Sequence, residues 1–275
     1  MFSKLKNKIL RKISKKSNSN KYLKYTNSES VVRLNMSTRP AYAYCLYNAV
    51  QLAKKLNYKN ISAIEFGVAG GNGLIFLDQF ADQLSKEFNI DIEIYGFDMV
   101  SGLPKPKDYK DLPYIFKEGL FPMDHDKLLK KLKRSKIIIG NVEESIKDFF
   151  IKNNPAPIAF ISNDLDYYSS TISSFKIFNS DSRFYLPRIF CYFDDVIGDQ
   201  VSMYGEFSGE LLAIKEFNEV NKNKKIHLNR NLICNMTSQH WRYQVYYFHD
   251  FLHPKYNDYV ESDNQEKQGT FLKKN

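Results

Sequence analysis

Residues 64–73 read Ile-Glu-Phe-Gly-Val-Ala-Gly-Gly-Asn-Gly, and 25 positions beyond the last of these glycines Asp98 closes a second run, Ile92-Glu-Ile-Tyr-Gly-Phe-Asp98. The first stretch is an apolar run that ends in glycines, the pattern of a buried strand turning sharply into a helix. Such a turn needs backbone free to take φ > 0. A ligand lying against it also needs backbone without side chains in the way, and Gly67, Gly70, Gly71 and Gly73 supply both. An acidic group at the end of the neighbouring strand can accept both hydroxyls of a ribose. The two stretches together read as a nucleoside pocket.

The same alternation continues downstream. Lys136–Asn141 is a short strand pattern followed by helical spacing over Val142–Phe150. Pro157–Asp164 is a strand followed by a helix over Ser169–Asn179, and Arg188–Asp195 is a fifth strand followed by an amphipathic helix over Gly209–Asn221. Lys225–Cys234 and Trp241–Phe248 have the composition of two closing strands. Upstream, Ser37–Ala41 reads as a helix start and Tyr42–Leu56 as an amphipathic helix over the sheet edge, with Arg39 at its head. Strands and helices in this order predict a mostly parallel sheet covered on both faces, with ligands at the carboxyl ends of the strands.

Carboxylates fall at those ends. Asp164 and Asp166 end or follow the fourth strand, and Asp194 and Asp195 end the fifth. Neighbouring strands lie about 4.8 Å apart, so these groups can converge, and carboxylates crowded at an apolar rim call for a cation. Hard oxygen ligands without a Cys or His cluster favour Mg²⁺. An Asp at a strand end also serves as the N-cap of the next helix, which is the alternative for Asp166 or Asp195 taken singly.

A dinucleotide-binding G-x-G-x-x-G cannot be written here: from Gly67 it meets Ala69 and Asn72, and from Gly71 it meets Phe76. Glu65-x-Gly67-x-Ala69-x-Gly71 instead resembles the E/D-x-G-x-G-x-G turn of class I S-adenosylmethionine (SAM) methyltransferases, with Ala at the middle glycine. Four blocks together, Glu65-Phe-Gly-Val-Ala-x-Gly-x-Gly, Phe97-Asp-x-x-x-Gly-Leu-Pro104, Asp164-x-Asp-x-Tyr-x-Ser-Thr171 and Phe193-Asp-Asp195, are similar to the macrocin O-methyltransferase (TylF/MycF-like) family over roughly residues 38–217. That resemblance implies an α/β, Rossmann-like class I methyltransferase fold, with a mostly parallel seven-stranded sheet and helices on both faces. It implies SAM and Mg²⁺ as cofactors and a sugar hydroxyl as methyl acceptor. Carried over motif by motif, Asp164, Asp194 and Asp195 would hold the metal and Asp98 the ribose. Glu65, Gly67, Ala69 and Gly71 would face the amino-acid end of SAM, and Asn141 and Val142 would lie along the adenine. Arg39 could meet the SAM carboxylate, with a surface Arg at a helix start as the more ordinary explanation.

The general base is less determined. Catechol-type relatives place a Lys three residues after the first metal Asp, where this chain has Tyr167, and macrolide-sugar relatives use a His in the insert after the second strand, where this chain has His125. Asp124 beside it reads equally as an N-cap. The candidates are His125 and Asp166, with Glu118 a further alternative. His249 and His253 read as packed residues at a strand exit that also approaches the active edge. The insert itself, residues 99–135, holds Pro104, Pro106, Pro113 and Pro122, exceeds an ordinary βα connection and reads as a substrate lid.

Composition sets the outer bounds. The chain has 275 residues, 43% of them hydrophobic, enough for one substantial core. Cys45, Cys191 and Cys234 show no metal spacing and cannot all pair, so a reducing cytoplasm is the expected compartment. Residues 1–24 carry nine Lys or Arg and no acid, which leaves 31 basic against 31 acidic residues for the rest. The whole net charge of +9 therefore resides in the tail, and the balanced body argues against a nucleic-acid enzyme. Phe2, Leu5, Ile9, Leu10 and Ile13 recur at helical spacing among the lysines, which suits peripheral contact of residues 1–20 with an anionic membrane. Residues 25–260 form the expected catalytic domain and 261–275 a polar tail. A homo-oligomer stays open as a further partner. Two other readings also stay open: methylation of a non-sugar small molecule, and a non-catalytic nucleotide-binding accessory of a glycan-assembly complex.

Overall fold

The computed structural model describes residues 26–233 and 239–261. The basic tail, Cys234 and the polar segment from 262 onward lie outside the described residues. Two helices, α1 (Ser28–Arg33) and α2 (Pro40–Lys55), precede the first strand; α1 was not anticipated. Then follow β1 (Asn60–Phe66), α3 (Asn72–Phe88), β2 (Asp91–Asp98), the insert with its one short helix α4 (His125–Leu129), and β3 (Lys136–Ile139). The second half runs α5 (Val142–Asn153), β4 (Ile158–Asn163), α6 (Tyr168–Ser174), β5 (Tyr185–Phe193), α7 (Gly209–Val220), β6 (Lys224–Leu228), α8 (Arg230–Ile233) and β7 (Val245–Asp250).

The strands form one sheet in the order β3-β2-β1-β4-β5-β7-β6, parallel except for β7, which runs against both its neighbours. The central strands are buried on both faces, which is why their sequences read as continuous apolar runs. On one face Leu46, Val50, Leu77 and Phe80 of α2 and α3 pack against Ala63 and Phe160. On the other Ile146, Phe149, Phe175 and Phe217 pack against Ile64, Phe97, Ile161 and Phe193. Strand order reverses between β1 and β4, and a ligand crevice is expected outside the strand ends at that point.

Three boundaries differ from expectation. The fifth strand starts three residues earlier, at Tyr185, and contains Pro187; the β4–β5 register shifts between Ile158 and Phe160, and a proline that cannot donate to the ladder is accommodated at such an irregularity. The sixth strand stops at Leu228, because the Asn229 side chain accepts from the Asn231 N–H and turns the chain into α8. The seventh begins only at Val245, since residues 240–243 form a 3-10 turn. The expectation that His249 and His253 approach the active edge is also corrected. Because β7 is antiparallel, His249 pairs with Arg188 near the start of β5, at the edge opposite Phe193. There His249 Nδ1 lies 2.7 Å from the Tyr256 hydroxyl, and His253 Nε2 lies 3.1 Å from the Tyr185 carbonyl. Both are structural. Among the described residues no helix is long and apolar enough to cross a membrane.

Candidate functional site

The ladder runs one residue past the strands on the carboxyl side. Gly67 N–H donates to the Phe97 carbonyl, Asp164 N–H to Phe66, and Asp194 N–H to Asn163. These bonds bring the ends of β2, β1, β4 and β5 to one rim. Gly67 has φ +82°, and a Cβ there would run into the Asp164 carbonyl oxygen, so only glycine lets β1 leave the sheet this close to β4. Beyond the rim lies a cavity of about 420 Å³, walled by Gly67, Ala69, Asp98, Asn141 and Val142 on one side and by Asp164, Asp166, Asp194 and Asp195 on the other.

Asp98 at the end of β2 faces the turn. Its Oδ2 accepts the N–H groups of Val68 (2.9 Å) and Ala69 (2.8 Å), and its Oδ1 accepts that of Val100 (2.6 Å). Three of roughly four lone-pair sites are thus used, leaving about one for a ribose hydroxyl. Asn141 is the N-cap of α5, its side chain accepting from Glu143 N–H, and with Val142 it presents a flat polar-apolar wall. Gly71 (φ +79°) caps α3 beside Leu128 of the insert and is not part of the cavity wall.

Glu65 also sits behind the wall, 2% exposed. Its Oε1 accepts from the Tyr42 hydroxyl (2.8 Å), which in turn accepts from Ser162 Oγ (2.7 Å), while Oε2 has no partner among the described residues. Burial pushes the Glu65 carboxyl up to about 8, against the pull of Tyr42 and Arg39. Glu65 thus bonds to Tyr42 of α2 and does not reach the cavity surface.

The carboxylates of Asp164, Asp194 and Asp195 lie with one oxygen each within 4.8 Å of one another. No described donor reaches the Asp164 carboxylate, and burial, then Asp194, Asp195 and Asp166, hold its pKa well above the usual range. Asp195 is pushed up to about 7 by burial and by Asp194. Asp166 is pushed up to about 8 by burial and then by Asp195 and Asp194. The sites are raised because negative charge is concentrated where water is scarce, and a hard divalent cation is the species that relieves it. An all-oxygen donor set at this spacing fits Mg²⁺. Asp166 is 7% exposed, held at φ +61°, and its N–H donates to Asp195 Oδ2. That left-handed residue turns its carboxylate into the cavity wall beside the triad instead of capping α6, whose N-cap is Tyr167.

His125 is not brought to this place. It opens α4 behind the Asp124 N-cap, with Nδ1 3.6 Å from Asp126 Oδ1, and it does not line the cavity. Glu118 is exposed and likewise does not line it. The insert does contribute Met99, Gly102, Leu103, Pro104, Phe116 and Phe121 to the cavity wall. It is held at both ends. Asp111 accepts from Lys107 N–H, Ser169 N–H and Ser169 Oγ, and buried Asp78 of α3 accepts from the backbone of Lys133, Arg134 and Ser135.

Two residues of the site escaped the sequence reading, and a third, Arg39, stands there between a SAM-carboxylate contact and an ordinary surface group. Among the described residues Arg39 is the one cation in a cavity wall that holds five aspartates, its guanidinium 5.6 Å from the Tyr42 ring centroid. Tyr204 comes from the loop after β5 and donates its hydroxyl to Asp195 Oδ1 (3.0 Å). Glu210, the second residue of α7, accepts the Asp195 N–H on Oε2 (2.9 Å). The last two are recognisable only through contacts at sequence separations of 9 and 15.

No family model matches the chain, and no curated protein matches it. Among solved structures it is similar to CalS11, described as a calicheamicin methyltransferase, at 18% identity over 84% of this chain and 89% of that one, with a TM-score of 0.53. It is also similar to the O-methyltransferase NovP, at 12% identity over 76% of this chain and 79% of that one, with a TM-score of 0.52. These likenesses establish the fold: the chain has the Rossmann-like class I methyltransferase architecture.

Proposed function

We propose that the chain is a SAM- and Mg²⁺-dependent O-methyltransferase whose acceptor is a sugar hydroxyl. The observation that carries this reading is the opening of the nucleoside turn and the aspartate triad into one cavity, on a methyltransferase fold. The similarity to CalS11 and NovP, both described as methyltransferases, supports transfer of a methyl group, and the four sequence blocks support a sugar as its recipient.

In this reading Gly67 and Ala69 give the SAM backbone clear approach, Asp98 accepts from the ribose, and Asn141 and Val142 flank the adenine. Arg39, on the cavity wall, meets the SAM carboxylate, while Glu65 lies behind the wall and acts through Tyr42. Asp164, Asp194 and Asp195 would hold Mg²⁺, which when bound orients adjacent hydroxyls and lowers the pKa of the one that attacks. Asp166, whose carboxylate lines the cavity beside the triad, takes the hydroxyl proton; a divalent cation on the neighbouring aspartates would offset the charge that raises its carboxyl and leave it ionised for that task. The wall formed by Leu103, Phe116 and Phe121 excludes water and holds the acceptor ring in line with the methyl donor, and alignment of this kind contributes up to roughly 7–11 kcal/mol.

The test is transfer of labelled methyl from SAM to a panel of glycosides and nucleotide sugars, set beside a panel of phenols and catechols, with and without Mg²⁺. Mg²⁺-dependent labelling of a glycoside supports the proposal. Labelling confined to the phenol panel moves the acceptor to a non-sugar molecule. SAM binding with no turnover on either panel favours the accessory-protein reading.

A further inference from the structure

Among the described residues Asp195 is the triad carboxylate with a donor on each oxygen, whereas Asp194 accepts from Tyr192 and Gln244 on Oδ1 alone. Asp195 N–H donates to Glu210, its Oδ2 accepts from Asp166 N–H at 3.0 Å, and its Oδ1 accepts from the Tyr204 hydroxyl at 3.0 Å. Each carboxylate oxygen therefore has one donor, and each keeps one lone pair for a cation. Glu210 is 0% exposed, and its Oε1 has no partner among the described residues. A buried carboxyl with one oxygen unpaired costs stability that an apolar residue at the same place in α7 would not. The bond it makes is to the backbone of Asp195, whose loop would otherwise be free to turn its carboxylate. Tyr204 completes the arrangement from the other side. Its ring lines the cavity, and two residues earlier the Ser202 carbonyl accepts from Tyr114 of the insert (2.6 Å), which fixes the loop that carries it.

We propose that Tyr204 and Glu210 are positioning residues that clamp Asp195, from its side chain and its backbone respectively, in the orientation a divalent cation requires. The clamp rests on the metal reading given above. Outer partners of this kind typically govern metal affinity by 10–100-fold.

Calorimetric titration of the full chain with Mg²⁺, paired with titration by S-adenosylhomocysteine, tests it. Tyr204→Phe and Glu210→Ala are expected to weaken Mg²⁺ binding by about 10–100-fold. Glu210→Gln, which keeps an acceptor for Asp195 N–H, is expected to bind Mg²⁺ within about threefold of the unaltered chain. Neither Tyr204 nor Glu210 touches the glycine turn, so S-adenosylhomocysteine affinity is expected to be unchanged, and that binding reports that each variant is folded. If Glu210→Ala fails to fold, Tyr204→Phe, which removes a single hydroxyl, carries the test. Unaltered Mg²⁺ affinity in the folded variants overturns the clamp while leaving the metal site standing. An unaltered chain that binds no Mg²⁺ overturns the metal reading itself and the clamp with it.

Discussion

Ten non-glycine residues of the described chain have positive φ, and their distribution separates structure from function. Four are Asn35, Asn57, Asn89 and Asn154, each at or just past the end of a helix, where asparagine tolerates the left-handed conformation at little cost. The other six are Ala69, Val100, Leu112, Phe121, Asp166 and Met203, all in the turn, the insert, or the loops that build the cavity. Such residues cost of order 1–3 kcal/mol each and persist where surrounding bonds over-determine them. Val100 is held by its N–H to Asp98 and its carbonyl to Met123 N–H, and Asp166 by its N–H to Asp195. Asp166→Asn keeps that backbone geometry, since Asn also tolerates positive φ, and removes only the proton acceptor. The expected outcome is a loss of kcat of about 10²–10⁴-fold with S-adenosylhomocysteine affinity retained. A kcat within a few-fold of the parent would remove Asp166 from the chemistry.

At the scale of elements, the ends of β4 and β5 set a pH dependence. Asp166 and Asp195 have folded-state values of about 8 and about 7, above the unfolded carboxylate value, so between about pH 4 and 8 the cation-free folded state binds protons that the unfolded state has released. Stability from these groups is present at low pH and is lost as pH rises through that window. A bound divalent cation replaces the protons and removes the loss. Thermal melts are expected to show a larger Mg²⁺-induced rise in Tm at pH 8.5 than at pH 6; an equal rise at both would contradict the placement of the cation among these carboxylates. The insert makes a second prediction at this scale. Asp111 is 0% exposed; it ties the insert to the start of α6 through two donors of Ser169 and accepts a third from Lys107 within the insert. Asp111→Ala is expected to cost about 2–3 kcal/mol by denaturant unfolding, with early protease cleavage inside residues 99–135. Cleavage unchanged from the parent would mean that the insert is held by its Leu112, Phe116 and Tyr167 packing alone.

Much of this was legible in the chain, and the exceptions have a physical pattern. The strand-turn-helix at 64–73 and the aspartates at strand ends declare themselves because their requirements are local: bare backbone at a turn, and charge at the end of an apolar run. Tyr204 and Glu210 do not, and Arg39 does so only as one of two readings, because an Arg at a helix start or a Glu in the first turn of a helix has an ordinary local explanation, and only packing shows which face it turns inward. His125 differs in the other direction: a histidine in the right segment by sequence opens α4 behind the Asp124 cap and does not line the cavity. Pro187 hid three residues of β5 because a central-strand proline is accepted only where the register already breaks.

At the scale of the whole molecule, the folded body is close to electrically neutral, and the net charge of +9 belongs to residues 1–24. The amphipathic basic reading of that tail predicts that deleting residues 1–20 abolishes sedimentation with anionic vesicles and leaves catalysis in solution intact; vesicle binding retained by the shortened chain would assign it to the body instead. The central claim, however, concerns the cavity at the reversal of strand order. Its most direct test is calorimetric titration with S-adenosylhomocysteine, with and without Mg²⁺, on the full chain and on Asp98→Ala and Asp164→Ala. The predicted result is that binding is lost in Asp98→Ala, whereas Asp164→Ala still binds but lacks the Mg²⁺-linked heat of the unaltered chain. No binding of S-adenosylhomocysteine under either condition would contradict it, leaving a methyltransferase fold without a methyltransferase site.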